Sequence, residues 1–278
     1  MIQQPAGGQF INRSNWNNAS AYKPFDYAQN AGVPCLCVAA VAASGGASTP
    51  SIDPSGTFQT LGGTNLSSIA VAAVAMTNAG LLMALVCMQG NVTVTGVADT
   101  DGLAWTKRWA ENFSGAGDVE LWTAPVSAGF TGDTVTFTLS GAAGGNNSTS
   151  AFAWGLNNEN GFDSDSGLPF TSNGTTVINA ATAEAPDLGF YVGVCPNTNS
   201  TPGVPTGFAS LISAQNGNGL NFMSMRVATQ ALASSGAVVV TPTGGNSSNL
   251  NVFDALTNNG GGGNPAPPSD PTHWLVGA

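Results

Sequence analysis

The chain has 278 residues, 42% of them hydrophobic and only 7% charged, against about 25% charged in an ordinary soluble domain. Fifteen acidic residues against five basic ones give a net charge of −10, which argues against binding to nucleic acid or an anionic membrane, since both need clustered Lys and Arg. The longest apolar run, Val33 to Ala43, has eleven residues, too short to span a bilayer, and the hydrophobic content is too high for intrinsic disorder. With 27 Asn and abundant Ser, Thr and Gly, the surface is wetted by neutral amides and hydroxyls.

Residues 1–46 show little regular alternation but carry Phe10, Trp16, Tyr22, Phe25 and Tyr27 among Asn, Gly and Pro. The opening MIQQPAGGQFINRSNW has no basic stretch leading into an apolar one, so the expectation is synthesis in a cytoplasm without a signal peptide. Cys35-Leu36-Cys37 lacks the two-residue gap of most zinc knuckles, and neither a second pair nor a nearby His completes a site. No metal or cofactor is expected.

Residues 47–256 are short β-type runs broken by Gly, Asn and Asp. DTVTFTLS, Asp133 to Ser140, sets Val135, Phe137 and Leu139 on one face and Thr134, Thr136 and Thr138 on the other, the period of a half-buried strand. GLLMALVCMQ, DVELWTA, TSAFAWGL, DLGFYVGV and NLNVFDAL are further strands, with turns at Asp101-Gly102, Asn173-Gly174 and Asn216-Gly217. No long segment carries a capped helical stripe, and no fixed-period repeat is visible. About a dozen short strands predict a single all-β sandwich. Cys87 and Cys195 each end an apolar run and read as buried thiols, with a disulfide between the two strand ends as the alternative.

Candidate chemistry is sparse. Asp99-Thr100-Asp101-Gly102 and Asp163-Ser164-Asp165-Ser166-Gly167 resemble calcium loops, but each offers two aspartates where calcium takes six to eight oxygens, and Asx turns account for both. Glycosidase pairs drawn from Glu111, Glu120, Glu159, Glu184, Asp163 and Asp165 need a cleft geometry that spacing does not supply. Trp105 and Trp109 share strand parity in LAWTKRW, hence one face, and form a candidate platform for a sugar ring alongside the core-packing alternative. The single His, His273, sits in the tail beside Trp274, away from any rigid nucleophile site.

Residues 257–278 are a Gly run followed by a Pro-rich stretch, a flexible and then extended tail. Phe10, Trp16, Phe25 and Tyr27 in the arm, and Trp274 in the tail, have no local period that would bury them. They are candidate anchors, since aromatics dominate interface hot spots.

The order GLLMALVCMQ, VTGVADTDGLAWTKRWA, DVELWTAP, DTVTFTLSG, AFAWGLNN, DLGFYVGVC, with its D-x-x-G-x-x-W-T segment at Asp99 to Thr106, resembles a β-sandwich domain that recurs in phage and prophage virion proteins and in some bacterial surface proteins. The likeness covers roughly residues 55–256 and implies a jelly-roll-like antiparallel sandwich with a non-enzymatic role. The extended N-terminal arm and the Pro/Gly-rich C-terminal tail depart from the simple domain and suggest attachment. The expectation is therefore a virion structural protein displayed on the particle surface, partnered by other capsid or tail proteins and by copies of itself, with no nucleic acid and no membrane insertion. The alternative is a receptor- or glycan-binding module of a phage fibre or a bacterial surface protein, directed at a host surface glycan.

Overall fold

Ladder hydrogen bonds between strands satisfy most of the backbone, and the described residues contain no helix. The computed structural model describes residues 49–258 apart from 65, 113–116, 142–147, 197–199, 217–222 and 245–248, together with the backbone of four short strands in the terminal segments. In chain order the strands begin with β1 (Ile11–Asn12), β2 (Asp26–Asn30), β3 (Val33–Cys37), β4 (Ser51–Thr64), β5 (Ser68–Met76), β6 (Gly80–Gln89) and β7 (Val94–Ala98). They continue with β8 (Thr106–Asn112), β9 (Gly117–Val126), β10 (Phe130–Leu139), β11 (Ser148–Asn157), β12 (Glu159–Phe162), β13 (Phe170–Asn173) and β14 (Ile178–Thr182). The last are β15 (Asp187–Pro196), β16 (Ala209–Asn216), β17 (Met223–Leu232), β18 (Gly236–Val240), β19 (Leu250–Asn258) and β20 (Trp274–Val276).

The chain forms two compact units, one of residues 1–48 with 259–278 and one of residues 49–258. In the smaller unit the sheet order is β1-β2-β3-β20, with Trp274 opposite Cys37 and Val276 opposite Cys35. The terminal segments, read from composition as a separate arm and tail, thus pair with each other. The side chains of the proposed anchors Phe10, Trp16, Phe25, Tyr27 and Trp274 lie outside the described residues.

The larger unit is four antiparallel sheets, not the two layers of a single sandwich. Their orders are β5-β10-β7, β4-β11-β6-β9-β8, β12-β19-β15-β17-β16 with β13 also on β19, and β14-β18. Three cores separate them. Ile69, Val71, Val135 and Phe137 of the three-stranded sheet meet Leu82, Ala84, Val86 and Met88 of the five-stranded one. The other face of that sheet, with Met83, Leu85, Val119, Leu121, Phe152 and Trp154, packs on Phe190, Val192, Val194, Met225 and Val252 of the six-stranded sheet. Beyond it, Tyr191, Phe208 and Phe253 meet Ile178, Val238 and Val240 of the two-stranded sheet.

This layering explains the two kinds of strand in the sequence. Strands β6 and β11 are covered on both faces and read as continuous apolar runs, whereas β10, in an outer sheet, alternates. Where the outer cover is the small β14-β18 sheet, aromatics fill the space and glycines make room for them. A Cβ at Gly193 would collide with the Tyr191 hydroxyl, and that hydroxyl donates to Asn251 Oδ1 at 2.7 Å.

The strand pairings also reveal a duplication that the sequence hides. In residues 51–157, β6 pairs with β11 and β9, β9 with β8, β11 with β4, and β10 with β5. In residues 159–258, β15 pairs with β19 and β17, β17 with β16, β19 with β12 and β13, and β18 with β14. Even the irregularities correspond. A bulge between Lys107 and Trp109 interrupts β8, and one between Ser210 and Ile212 interrupts β16. Trp105 and Phe208, each just before its strand, both pack on the outer core of their own half. Apart from β7, which pairs with β10 in the first half only, the two halves repeat one order of strand pairings and meet through their larger sheets.

Cys87 and Cys195 are both buried and form no disulfide. Cys87 faces the central core, where burial raises its thiol well above its usual range. Phe137 is fully buried while Thr136 is only half-buried, which sets a stability contrast. Phe137→Ala should cost about 3–5 kcal/mol in urea unfolding and Thr136→Ala less than half of that; comparable losses would contradict the assigned faces.

Candidate functional site

Backbone amides donate to the aspartates of both turns. Asp99 accepts the Leu103 amide at 3.1 Å and the Trp105 indole N–H, and Asp133 accepts the Thr100 amide at 2.8 Å. Asp163 takes the Asp165 amide at 2.7 Å and Asp165 the Gly167 amide at 2.8 Å. Asp163 and Asp165 thus make Asx turns, in which a short carboxylate mimics a turn of backbone, whereas Asp99 reaches an amide four residues on and Asp133 one 33 residues away. Among the described residues no group of three or more His, Cys, Asp or Glu side chains could hold a metal ion.

The shared tryptophan face does not form. The bulge inserts Arg108 between Lys107 and Trp109 and so reverses the parity that the sequence implies. Trp109 is 6% exposed in the central core, whereas the half-buried Trp105 packs on the outer core of the first half. A ring must be open on one face to stack on a sugar, which leaves Trp105 alone of the two.

Of the candidate acids, Glu120 and Glu184, like Asp163 and Asp165, accept hydrogen bonds within the framework. Glu120, 1% exposed, accepts the Val94 amide at 2.8 Å and the Trp122 indole at 3.1 Å, and pairs with Lys107 Nζ at 2.8 Å. Glu184 accepts the Ser164 amide at 3.0 Å. Burial raises Glu111 and Glu159 above the usual carboxylate range. An open hollow of about 500 Å³ is lined by Ser55, Met76, Thr77, Gly129, Phe130 and Thr131, none of them ionisable. Beside it Asp53 is buried. Burial pushes its carboxyl up, but the amides of Ser55 at 2.8 Å and Thr77 at 3.0 Å outweigh that and hold it at about 2. His273 lies outside the described residues.

An ion pair lies where the two halves meet. Arg108, the bulge residue, crosses to Asp254 on β19 with Nε to Oδ2 at 2.9 Å and an Nη to Oδ1 at 3.0 Å. Its guanidinium carbon sits 4.1 Å from the centroid of the Phe162 ring. Asp254 is fully buried. Burial raises its carboxyl above the usual range, and the Arg108 hydrogen bond and charge work against that rise. Neither residue is singled out by sequence pattern; the available signal was one Asp inside the largely apolar VFDAL.

Compared with known proteins, the chain matches no family model, no curated protein and no solved structure.

The ion pair yields a stability test. Arg108→Met leaves Asp254 buried without its partner, which should cost about 3–5 kcal/mol in urea unfolding at pH 8. The loss should shrink toward pH 5, where the abandoned carboxyl takes up a proton. Combining it with Asp254→Leu should recover most of the loss. A double variant as unstable as the single one would show that the packing of the arginine stem, and not the charge pair, is what matters.

Proposed function

We propose that this chain is a non-enzymatic structural protein of a bacteriophage particle, displayed on the particle surface as a capsid decoration or as a head or tail accessory. The observation that carries the reading is the division of labour between interior and exterior. Buried carboxylates tie strands and turns together, while the outer faces present Ser68, Ala70, Thr95 and Thr138 at one end of the stack and Asn179, Ala237 and Val239 at the other, all exposed and uncharged. Such a body is a stiff spacer with neutral faces, suited to packing beside other particle proteins or copies of itself. The resemblance in residues 55–256, which implies a jelly-roll-like sandwich, supports the same reading, on which the chain passes from host cytoplasm to particle. Attachment falls to the terminal segments, whose aromatics include Phe10, Trp16 and Trp274.

A receptor- or glycan-binding role is the second reading. It is favoured by Trp105, a half-buried ring whose N–H is fixed by Asp99 and which could stack on a sugar without first being ordered. Loss of glycan-array binding in Trp105→Ala would select this reading over the structural one.

The deciding experiment images intact particles labelled with antibody against residues 49–258. Regular label on the particle surface is the expected result, and label only in the soluble fraction overturns the proposal. A chain cut to residues 49–258 should melt cooperatively near the full-length temperature yet fail to enter particles. Incorporation at the full-length level would remove the terminal segments as the anchor.

A further inference from the structure

Asp187 opens β15, is fully buried, and has no hydrogen-bond donor on either carboxyl oxygen. For a charged carboxylate that is the most unfavourable environment a protein offers. Its neighbour is Asp163, just beyond β12, whose carboxyl lies within hydrogen-bond reach. Asp163 is the opposite case. It accepts the amides of Asp165 at 2.7 Å, Ala183 at 2.9 Å and Glu184 at 3.0 Å, and so binds together the two ends of the excursion that carries β13 and β14. Three amide donors mark Asp163 as the ionised member. Asp187 can then satisfy itself in one way, by keeping its proton and donating it to Asp163.

The surroundings favour that proton. Glu184, held by the Ser164 amide and hydroxyl, faces the pair from the turn between β14 and β15 and acts on Asp187 as a like charge. From β19, Asp254 interacts with Asp163 in the same sense. The cation on this side, Arg108 of β8, is already bidentate to Asp254.

We infer that Asp163 and Asp187 share a single proton, and that this proton is a latch holding the base of the β12–β15 excursion to the six-stranded sheet, released in alkaline medium. Removing it places two carboxylates side by side without a donor between them. The strain falls on the amide bonds at residues 183 and 184 and, through β14, on Ile178 in the outer core.

Burial first, then the hydrogen bond to Asp163 and the charges of Asp163 and Glu184, raise Asp187 to about 8. Burial opposes the lowering of Asp163, and the amides of Ala183, Glu184 and Asp165 bring it about. The folded chain therefore holds, between about pH 4 and about pH 8, a proton that the unfolded chain has lost. Stability from Asp187 is fully present below the unfolded value and is lost as pH rises through the folded one.

The test compares the full chain with Asp187→Asn, in which an amide donates to Asp163 at every pH. Between pH 5 and pH 8 the wild type should lose stability relative to the variant by about tenfold in the folding constant per pH unit. Chymotrypsin, active at pH 7 and pH 9, should cut after Phe162 or Phe170 at pH 9 in the wild type only. Parallel stability profiles would overturn the inference. So would restoration of the pH 9 wild type by calcium ions, which would make the pair a cation site. Should the variant fail to fold, carboxyl carbon NMR of the wild type decides. Titration of Asp187 near 8 supports the latch, and titration near 4 overturns it.

Discussion

Everything in the larger unit depends on the central layer, where the five-stranded and six-stranded sheets are buried against each other. Each of these sheets also carries its own small sheet on the far side, so the inner strands β6, β11, β15 and β19 have no wet face, whereas the edge strands β8 and β16 keep exposed residues. Such an inner strand cannot use polar residues to declare its orientation and must be held in register by ladder bonds and by the shape of its apolar side chains. The polar exceptions that do enter this layer are correspondingly specific. Arg108 and Asp254 meet across it in two parallel hydrogen bonds, a geometry that admits one alignment of the halves.

The duplication shows why one pair suffices. By strand register, Arg108 of β8 corresponds to Leu211 of β16, each being the extra residue of its bulge. Asp254 of β19, opposite Phe190, corresponds to Trp154 of β11, opposite Met83. One crossing is thus a charged pair, while at the equivalent crossing both residues are apolar. Leu211 packs on the central core to which Trp154 belongs. Two apolar crossings would permit the halves to slide. A polar pair on one side alone fixes the register, and it also makes the two halves unequal, so that the chain cannot exchange them.

Much of the fold was legible in the sequence, and the failures have physical causes. β10 was readable down to its inward residues because it lies in an outer sheet, where one face is wet and alternation survives. β6 and β15 were readable as strands, but a continuous apolar run does not say how many sheets it separates, so four layers were expected to be two. The repeat was hidden by loops of unequal length and by a misleading coincidence. Cys87 and Cys195 end similar runs, yet Cys87 faces the central core together with Val194, which turns Cys195 to the opposite face. Aligning the cysteines therefore sets the halves one residue out of register. The tryptophan platform failed for a related reason, because a single extra residue at Arg108 reversed the parity on which it rested. The Asx turns were legible, since they need only a local carboxylate and amide. The Asp163–Asp187 and Arg108–Asp254 contacts were not, because they join segments that only the tertiary fold brings together.

The charge balance acquires a different meaning once the residues are placed. Seven of the thirteen acidic residues whose burial is described, Asp53, Asp118, Glu120, Asp133, Asp163, Asp187 and Asp254, are buried. Most of them accept backbone amides or pair with a side chain inside the fold. The described basic residues are tied up in the same way: Lys107 with Glu120, Arg108 with Asp254, and Arg226 with the Pro202 carbonyl and the Ser210 hydroxyl. Long-range steering needs charge clustered at a surface, whereas here a large share of a small charge complement is internal. Much of the acidic complement behind the net charge of −10 is thus internal rather than gathered at a surface. The scarcity of charge in the sequence and its concentration in the interior have one origin. In a stack made almost wholly of strands, turns and sheet ends leave amides without partners, and a short carboxylate is the side chain that satisfies several of them at once.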